Sequence, residues 1–159
     1  MAEKTVVQWH NSYSIGIRLI DEQHRELINL TNKLYANCMS SQGRVKSSFL
    51  KIIRETVDYA GYHFGTEEKI MERIDYPDYA FHKREHTDFV KEVYTKVEDF
   101  KGGRIMAPLY LVYFLRDWVL QHIAIRDKKL GQHILAMKRN VELQGRTDKV
   151  KTDMVADLA

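Results

Sequence analysis

The 159-residue sequence predicts an all-α protein: an antiparallel up-down four-helix bundle with an N-terminal arm and a short C-terminal extension. Three observations predict it. Apolar residues recur at three- and four-residue spacing through four long segments. No stretch alternates with the two-residue period of a strand. The two prolines, Pro77 and Pro108, both stand between periodic segments rather than inside them, where a proline would break a helix.

The elements follow in order. Residues 1–20 carry Trp9, Tyr13, Ile15 and Ile17, enough apolar surface to pack as an arm across the bundle. Asp21 is a favoured N-cap for a first helix that runs to about Met39, with Leu27, Ile28, Thr31, Leu34 and Cys38 along one side. The stretch SSQGR interrupts it. A second helix spans Val45 to Ile74, its stripe marked by Phe49, Ile53, Val57, Ala60, Ile70 and Met71, and DYPDY ends it. The third runs from Tyr79 to Phe100, with Phe89, Val93 and Val97 in its stripe, and stops at Gly102 and Gly103. The fourth opens at Pro108, a residue suited to a first helical turn, and carries Leu111, Leu115, Trp118 and Val119. Residues 1–137 read as one domain. Residues 138–159 turn to mixed charge and read as a frayed tail, although Val150, Met154 and Leu158 stand at helical spacing.

Composition narrows the function. A net charge of +3 is mild and dispersed, and no run of Lys and Arg tracks an aromatic platform, so nucleic acid is not an expected partner. A single cysteine, Cys38, excludes an internal disulfide and a thiolate metal cage and fits a reducing compartment. No segment has the roughly 20 apolar residues of a membrane span. The N-terminus has no apolar core of signal-peptide length. A cytoplasmic protein without a membrane partner is expected, and the oligomeric state stays open, a monomer included.

The informative residues are polar ones in apolar stripes. His24 falls with Leu27, Thr31 and Leu34; His63 and Glu67 lie one turn apart in the stripe of the second helix. His82 and His86 share the stripe of the third helix, His122 continues that of the fourth, and Asp127 follows. Alone, His24 is more often a hydrogen-bonded core residue, and a single His-xxx-Glu pair is ambiguous. Together, five histidines and two carboxylates on four stripes demand either a large buried polar network or a metal. A metal satisfies all of them at once. Structural zinc wants four ligands, calcium and magnesium want oxygen, and mixed imidazole and carboxylate suits iron. Seven ligands exceed one octahedral ion. With both carboxylates bridging and one further bridging oxygen, two ions would be filled except for a single position.

These segments resemble the hemerythrin family, and within it the single-domain bacteriohemerythrins. The resemblance covers Trp9 to Leu130 and rests on IGIRLIDEQH, HFGTEEKIM, YPDYAFHKREHTDF and HIAIRDKK, in that order. It implies an up-down bundle that binds dioxygen reversibly at a non-haem di-iron centre, as a carrier, store or sensor and not as an enzyme. By that resemblance His82, His86 and His122 hold one iron, His24 and His63 the other, and Glu67 and Asp127 bridge them. The iron with two histidines keeps the open position. Two ferrous ions, two carboxylates and one hydroxide leave about one net positive charge, which attracts small anions as well as dioxygen. The alternatives are a di-iron redox enzyme acting on peroxide or nitric oxide, or iron storage. Ferritin-like oxidases repeat Glu-x-x-His, which this chain lacks.

Two expectations concern the last ligand segment. The family usually has a larger residue two positions after the fourth-helix histidine, often beside a glycine; those positions are Ala124 and Ile125, and Leu130 stands where an aromatic is common. If Ala124 faces the ligand pocket, its wall is lowered there. The other expectation is conformational. His122 and Asp127 are five residues apart, which in a regular helix leaves them about 140° apart. Leu111, Leu115, Trp118 and His122 keep one register; Asp127, Leu130, Ile134 and Met137 keep another. One extra residue in a wide turn would bring both sets onto one face. The competing expectation is a regular helix around which Asp127 reaches.

Overall fold

The computed structural model describes residues 5–40, 45–104 and 108–144. Its helices are α1 (Arg18–Met39), α2 (Val45–Arg73), α3 (Tyr79–Lys101), α4 (Pro108–His122) and α5 (Lys128–Gln144). A π-turn, Ile123–Asp127, joins α4 to α5, so the two form the fourth rod of the bundle. The packed pairs are α1 with α2, α2 with α3, α3 with α4 and α4 with α1, which closes the ring. No strand occurs among the described residues.

The expected bounds of α2 and α3 hold to within a residue, and the first helix differs. It begins at Arg18, with Ile17 at the N-cap position and no side-chain cap. Asp21 is therefore not the cap. It lies in the first turn, where it accepts hydrogen bonds from the Ile15 backbone N–H (2.8 Å) and the Ser14 hydroxyl. A buried carboxylate near a helix N-terminus is favoured by the helix dipole wherever it stands in the first turn, so its sequence position marks the start only loosely. The last helix runs on to Gln144, past Met137 where the composition changes. Val150, Met154 and Leu158 lie outside the described residues.

The arm packs as its apolar content predicts. Asn32 on α1 accepts from the N–H groups of Val6 and Val7 and donates to the Val7 carbonyl. The guanidinium of Arg25 sits 4.2 Å above the Trp9 ring. Ile15 and Ile17 are buried, and Gly16 takes the left-handed φ of +82° that the turn into α1 needs.

Two apolar clusters fill the bundle. One gathers Leu27, Phe49, Phe64, Phe89, Leu115 and Ile123; the other gathers Ile17, Ile20, Ile70, Met71, Leu130 and Ile134. On α1, α2 and the fourth rod, the switch from one cluster to the other brackets a polar position. His24 falls between Ile20 and Leu27, Glu67 between Phe64 and Ile70, and Asp127 between Ile123 and Leu130. A polar layer thus crosses the middle of an apolar core.

Candidate metal centre

All seven residues picked out by the stripes are buried in that layer: His24, His63, Glu67, His82, His86, His122 and Asp127. Their ligand atoms form two groups, each within 4.8 Å of one another. One is Glu67, His82, His86 and His122; the other is His24, His63, Glu67 and Asp127.

Both carboxylates span the groups. Asp127 Oδ2 lies 3.1 Å from His24 Nε2, and its Oδ1 lies 3.2 Å from the Nε2 atoms of His82 and His122. Glu67 Oε2 lies 3.3 Å from His86, 3.5 Å from His82 and 3.7 Å from His63, each at Nε2. The Nε2 atoms of His82 and His86 each stand 3.0 Å from Nε2 of His122. Several ring nitrogens and carboxylate oxygens therefore converge with few protons to share among them.

Several of these atoms are orphaned. Both ring nitrogens of His24 and all four oxygens of Glu67 and Asp127 are buried without an aligned hydrogen-bond partner. Leaving such groups unsatisfied costs about 1–3 kcal/mol each, more when charged. Cations seated between the two donor groups would satisfy both carboxylates and the inward nitrogen of His24, so the donor set fits a pair of metal ions with nitrogen and oxygen ligands.

The electrostatics point the same way. Burial pushes the His63 pKa down to about 4, against the opposing pull of Glu67, so its ring is neutral and able to ligate near pH 7. Burial and the Asp127 charge push Glu67 up, but the neighbouring imidazoles of His63, His82 and His86 outweigh them and hold it at about 2. Burial likewise opposes ionisation of Asp127, and the neighbouring imidazoles, His122 foremost, hold it well below the usual carboxylate range. For His82 burial is outweighed by Asp127 and Glu67, which raise it to about 9. Two buried carboxylates that stay charged have recruited a proton onto His82. A metal cation would take that proton's place.

The π-turn delivers Asp127. The Lys128 N–H bonds to the Ile123 carbonyl, five residues back, which is the wide-turn pattern expected from the five-residue spacing. The regular-helix alternative fails. Below the turn, Lys128 donates to the Ser14 carbonyl. Gly131 packs so closely on the arm that a Cβ there would lie 2.5 Å from the Ile15 carbonyl oxygen. The arm thus braces the segment that carries Asp127.

Sequence reasoning missed three supporting residues. Gln23, beside His24 on α1, meets Nδ1 of His63 on α2 at 3.0 Å. Glu68, beside Glu67 on α2, meets Nδ1 of His86 on α3 at 3.2 Å. Glu85, beside His86 on α3, stands 3.8 Å from Nδ1 of His122 and accepts from Arg126 at 2.7 Å. Along α1, α2 and α3, a residue beside a histidine or carboxylate of the layer thus faces the outer nitrogen of a histidine on the following helix. Glu68 is three-quarters buried, between His86 and Lys83. The available signal was adjacency to a ligand. Ring planes are fixed as well: His86 stacks on Phe64 with centroids 3.9 Å apart, and His122 stacks on Trp118 at 4.4 Å.

A small cavity of about 10 Å³ adjoins the layer, lined by Leu27, Ala60, His63, Phe64, Phe89, Trp118, Val119, His122, Ile123 and Asp127. That is room for about one water-sized molecule. Ala124 is not in the lining; it is exposed. The expectation that Ala124 walls the pocket is therefore corrected: the π-turn sends Ile123 inward in its place.

A closed four-helix bundle with inward histidines and two carboxylates that reach both histidine groups defines a class of bundle proteins built to hold metal. Comparison with known families narrows it. The model of the hemerythrin HHE cation binding domain matches residues 15–134. The bacteriohemerythrin of Stenotrophomonas maltophilia (strain R551-3) is 34% identical over 128 residues, 80% of this chain and 81% of the relative. That of Methylococcus capsulatus (strain ATCC 33009 / NCIMB 11132 / Bath) is 29% identical over 119 residues, 75% of this chain and 88% of the relative. The crystal structure of a wild-type hemerythrin superposes with a TM-score of 0.72 at 27% identity, covering 80% of this chain and 97% of that one. The chain belongs to the hemerythrin family.

Proposed function

We propose that this protein binds dioxygen reversibly at two iron ions held by the seven buried residues. His82, His86 and His122 hold one ion, His24 and His63 the other, and Glu67 and Asp127 bridge the two. The observation that carries this reading is the reach of both carboxylates across the two histidine groups, at 3.1–3.7 Å. The ions would supply the electrons with which dioxygen is held and released.

The protein's own part is to bind, orient and exclude. Gln23 and Glu68 hold His63 and His86 from behind, fixing which nitrogen faces inward, while Trp118 stacks on the His122 ring. His24 and His63 form the group with fewer imidazoles. The small cavity touches that group at His63 and Asp127 and the other at His122, so a ligand there lies beside both ions and takes the position that the less saturated one leaves open. Phe64, Phe89, Val119 and Ile123 keep that cavity apolar and limit water, which favours a neutral diatomic. Nothing in the lining beyond the ligand residues offers a general acid or base. This favours binding over turnover.

The test is to load the full chain with ferrous iron without oxygen, measure iron per chain, admit oxygen and then remove it. About two irons per chain and a visible spectrum that returns on deoxygenation support the proposal. Irreversible oxidation with turnover of peroxide or nitric oxide supports the enzyme alternative. Uptake of many irons per chain supports storage.

A further inference from the structure

The small cavity is sealed by nine buried residues and one that is not. Leu27, Ala60, His63, Phe64, Phe89, Val119, His122, Ile123 and Asp127 are each at most 6% exposed, whereas Trp118 is half-buried. Outside the bundle, between α3 and α4, lies a groove of about 220 Å³ lined by Glu85, Asp88, Glu92, Gln121, Ile125 and Arg126. Its floor is made of Phe89, Trp118 and His122, which are also wall residues of the inner cavity. One layer of rings therefore separates solvent from the cavity.

Those rings are not equally free. His122 is fixed by its convergence with His82 and His86. Phe89 is buried and in ring contact with Phe64, Phe114 and Trp118. Trp118 stacks on Phe89 at 3.9 Å and on His122 at 4.4 Å and meets Phe64 edge-on at 5.7 Å. It alone of the three floor rings reaches solvent, so its freedom is in the plane of its ring, toward the groove. We propose that small neutral ligands reach the inner cavity from the α3–α4 groove, past the edge of Trp118, which is the moving door. This rests on the reading of the cavity as the dioxygen site. It adds the route and the residue that sets its speed. A door alters the barrier without altering either end state, so association and dissociation change together while affinity stays.

The variant that tests it most cleanly is Ile125→Phe. Ile125 is 44% exposed, lines the groove and is absent from the inner cavity, so a larger side chain there narrows the mouth alone. In iron-loaded protein, dioxygen association and dissociation should both slow, by about tenfold, with affinity unchanged. Trp118→Phe, a smaller ring in the same stack, should speed both. A second readout needs no dioxygen binding. In zinc-loaded Trp9→Phe protein Trp118 is the remaining tryptophan, and Ile125→Phe should lower quenching of its fluorescence by acrylamide. Unchanged dioxygen rates in both variants, with reversible binding intact, overturn the door while leaving the dioxygen site standing. A protein that never binds dioxygen, yet whose Trp118 is shielded by Ile125→Phe, overturns the site reading and keeps the route. Unshielded Trp118 overturns the route.

Discussion

An imidazole that faces a metal through Nε2 is held by whatever bonds its Nδ1, so Gln23 and Glu68 are the levers on this centre. Glu68→Ala removes the partner of His86 Nδ1, leaving the stack on Phe64 to hold the ring, and loses besides only one partly exposed contact, that with Lys83. Metal affinity should fall about 10–100-fold with helix content intact, measured by competition with a chelator. Unchanged affinity would make Glu68 a surface residue after all. The residues at the cavity make a second test. Ile123→Ala removes a fully buried side chain from both the core and the cavity wall and should cost about 2–5 kcal/mol of stability. Ala124→Leu adds bulk to an exposed position and should change neither stability nor autoxidation rate. Sequence spacing picked out the seven ionisable residues that the layer gathers, because burial of an ionisable side chain contradicts its stripe. It could not identify Gln23, Glu68 or Glu85, whose polar character is equally at home in solvent. Nor could it separate Ile123 from Ala124, because a wide turn changes which residue points inward.

The π-turn is the element that decides the site. It is one residue more than a regular helix needs, and removing that residue restores an i, i+4 relation between His122 and the carboxylate. Deleting Ala124, which is exposed, should therefore keep both groups facing inward and keep the register of Leu130 and Ile134. Metal content should be retained, read by elemental analysis, with a melting temperature no lower than before. Loss of metal would mean that the wide turn itself sets the carboxylate position. The turn was legible because two stripes were out of step by one residue, a conflict with no regular-helix solution short of a long reach by Asp127. The start of α1 was not legible, because Asp21 serves the chain before the helix rather than the helix itself. The same arm gives a further prediction. Gly131→Ala places a methyl against the Ile15 backbone, where neither rigid partner can give. A loss of about 1–3 kcal/mol is expected from such overpacking, accompanied by weaker metal retention as the arm lifts from Lys128 and the segment behind Asp127. Destabilisation with metal retention unaltered would separate the arm from the site.

Across the whole molecule, two apolar clusters are joined by a polar layer that hydrogen bonds alone do not satisfy. Stability should therefore depend on metal and pH together. Without metal, His82 has its folded pKa raised from 6.5 to about 9, so its contribution is complete below pH 6.5 and is lost as pH rises through 9. His63 has its folded pKa lowered from 6.5 to about 4. Its buried neutral ring is tolerated above pH 6.5, and the unfolded state gains as pH falls from there to 4. Glu67, lowered from 4.5 to about 2, adds stability above pH 4.5 that is lost as pH falls through 2. The three signs agree on a maximum: chelated protein should melt highest near pH 6.5 and lower on both sides. Metal changes both sides, in opposite directions. An ion displaces the His82 proton and binds only the folded chain, so the loss above pH 6.5 should disappear while the acid loss steepens as protons compete for the ligands. The measurement is a set of melting curves from pH 4 to pH 9, with and without iron under anaerobic conditions. Chelated protein whose melting temperature climbs steadily to pH 9 would show that Asp127 and Glu67 do not hold a proton on His82, and that the layer is satisfied in some other way.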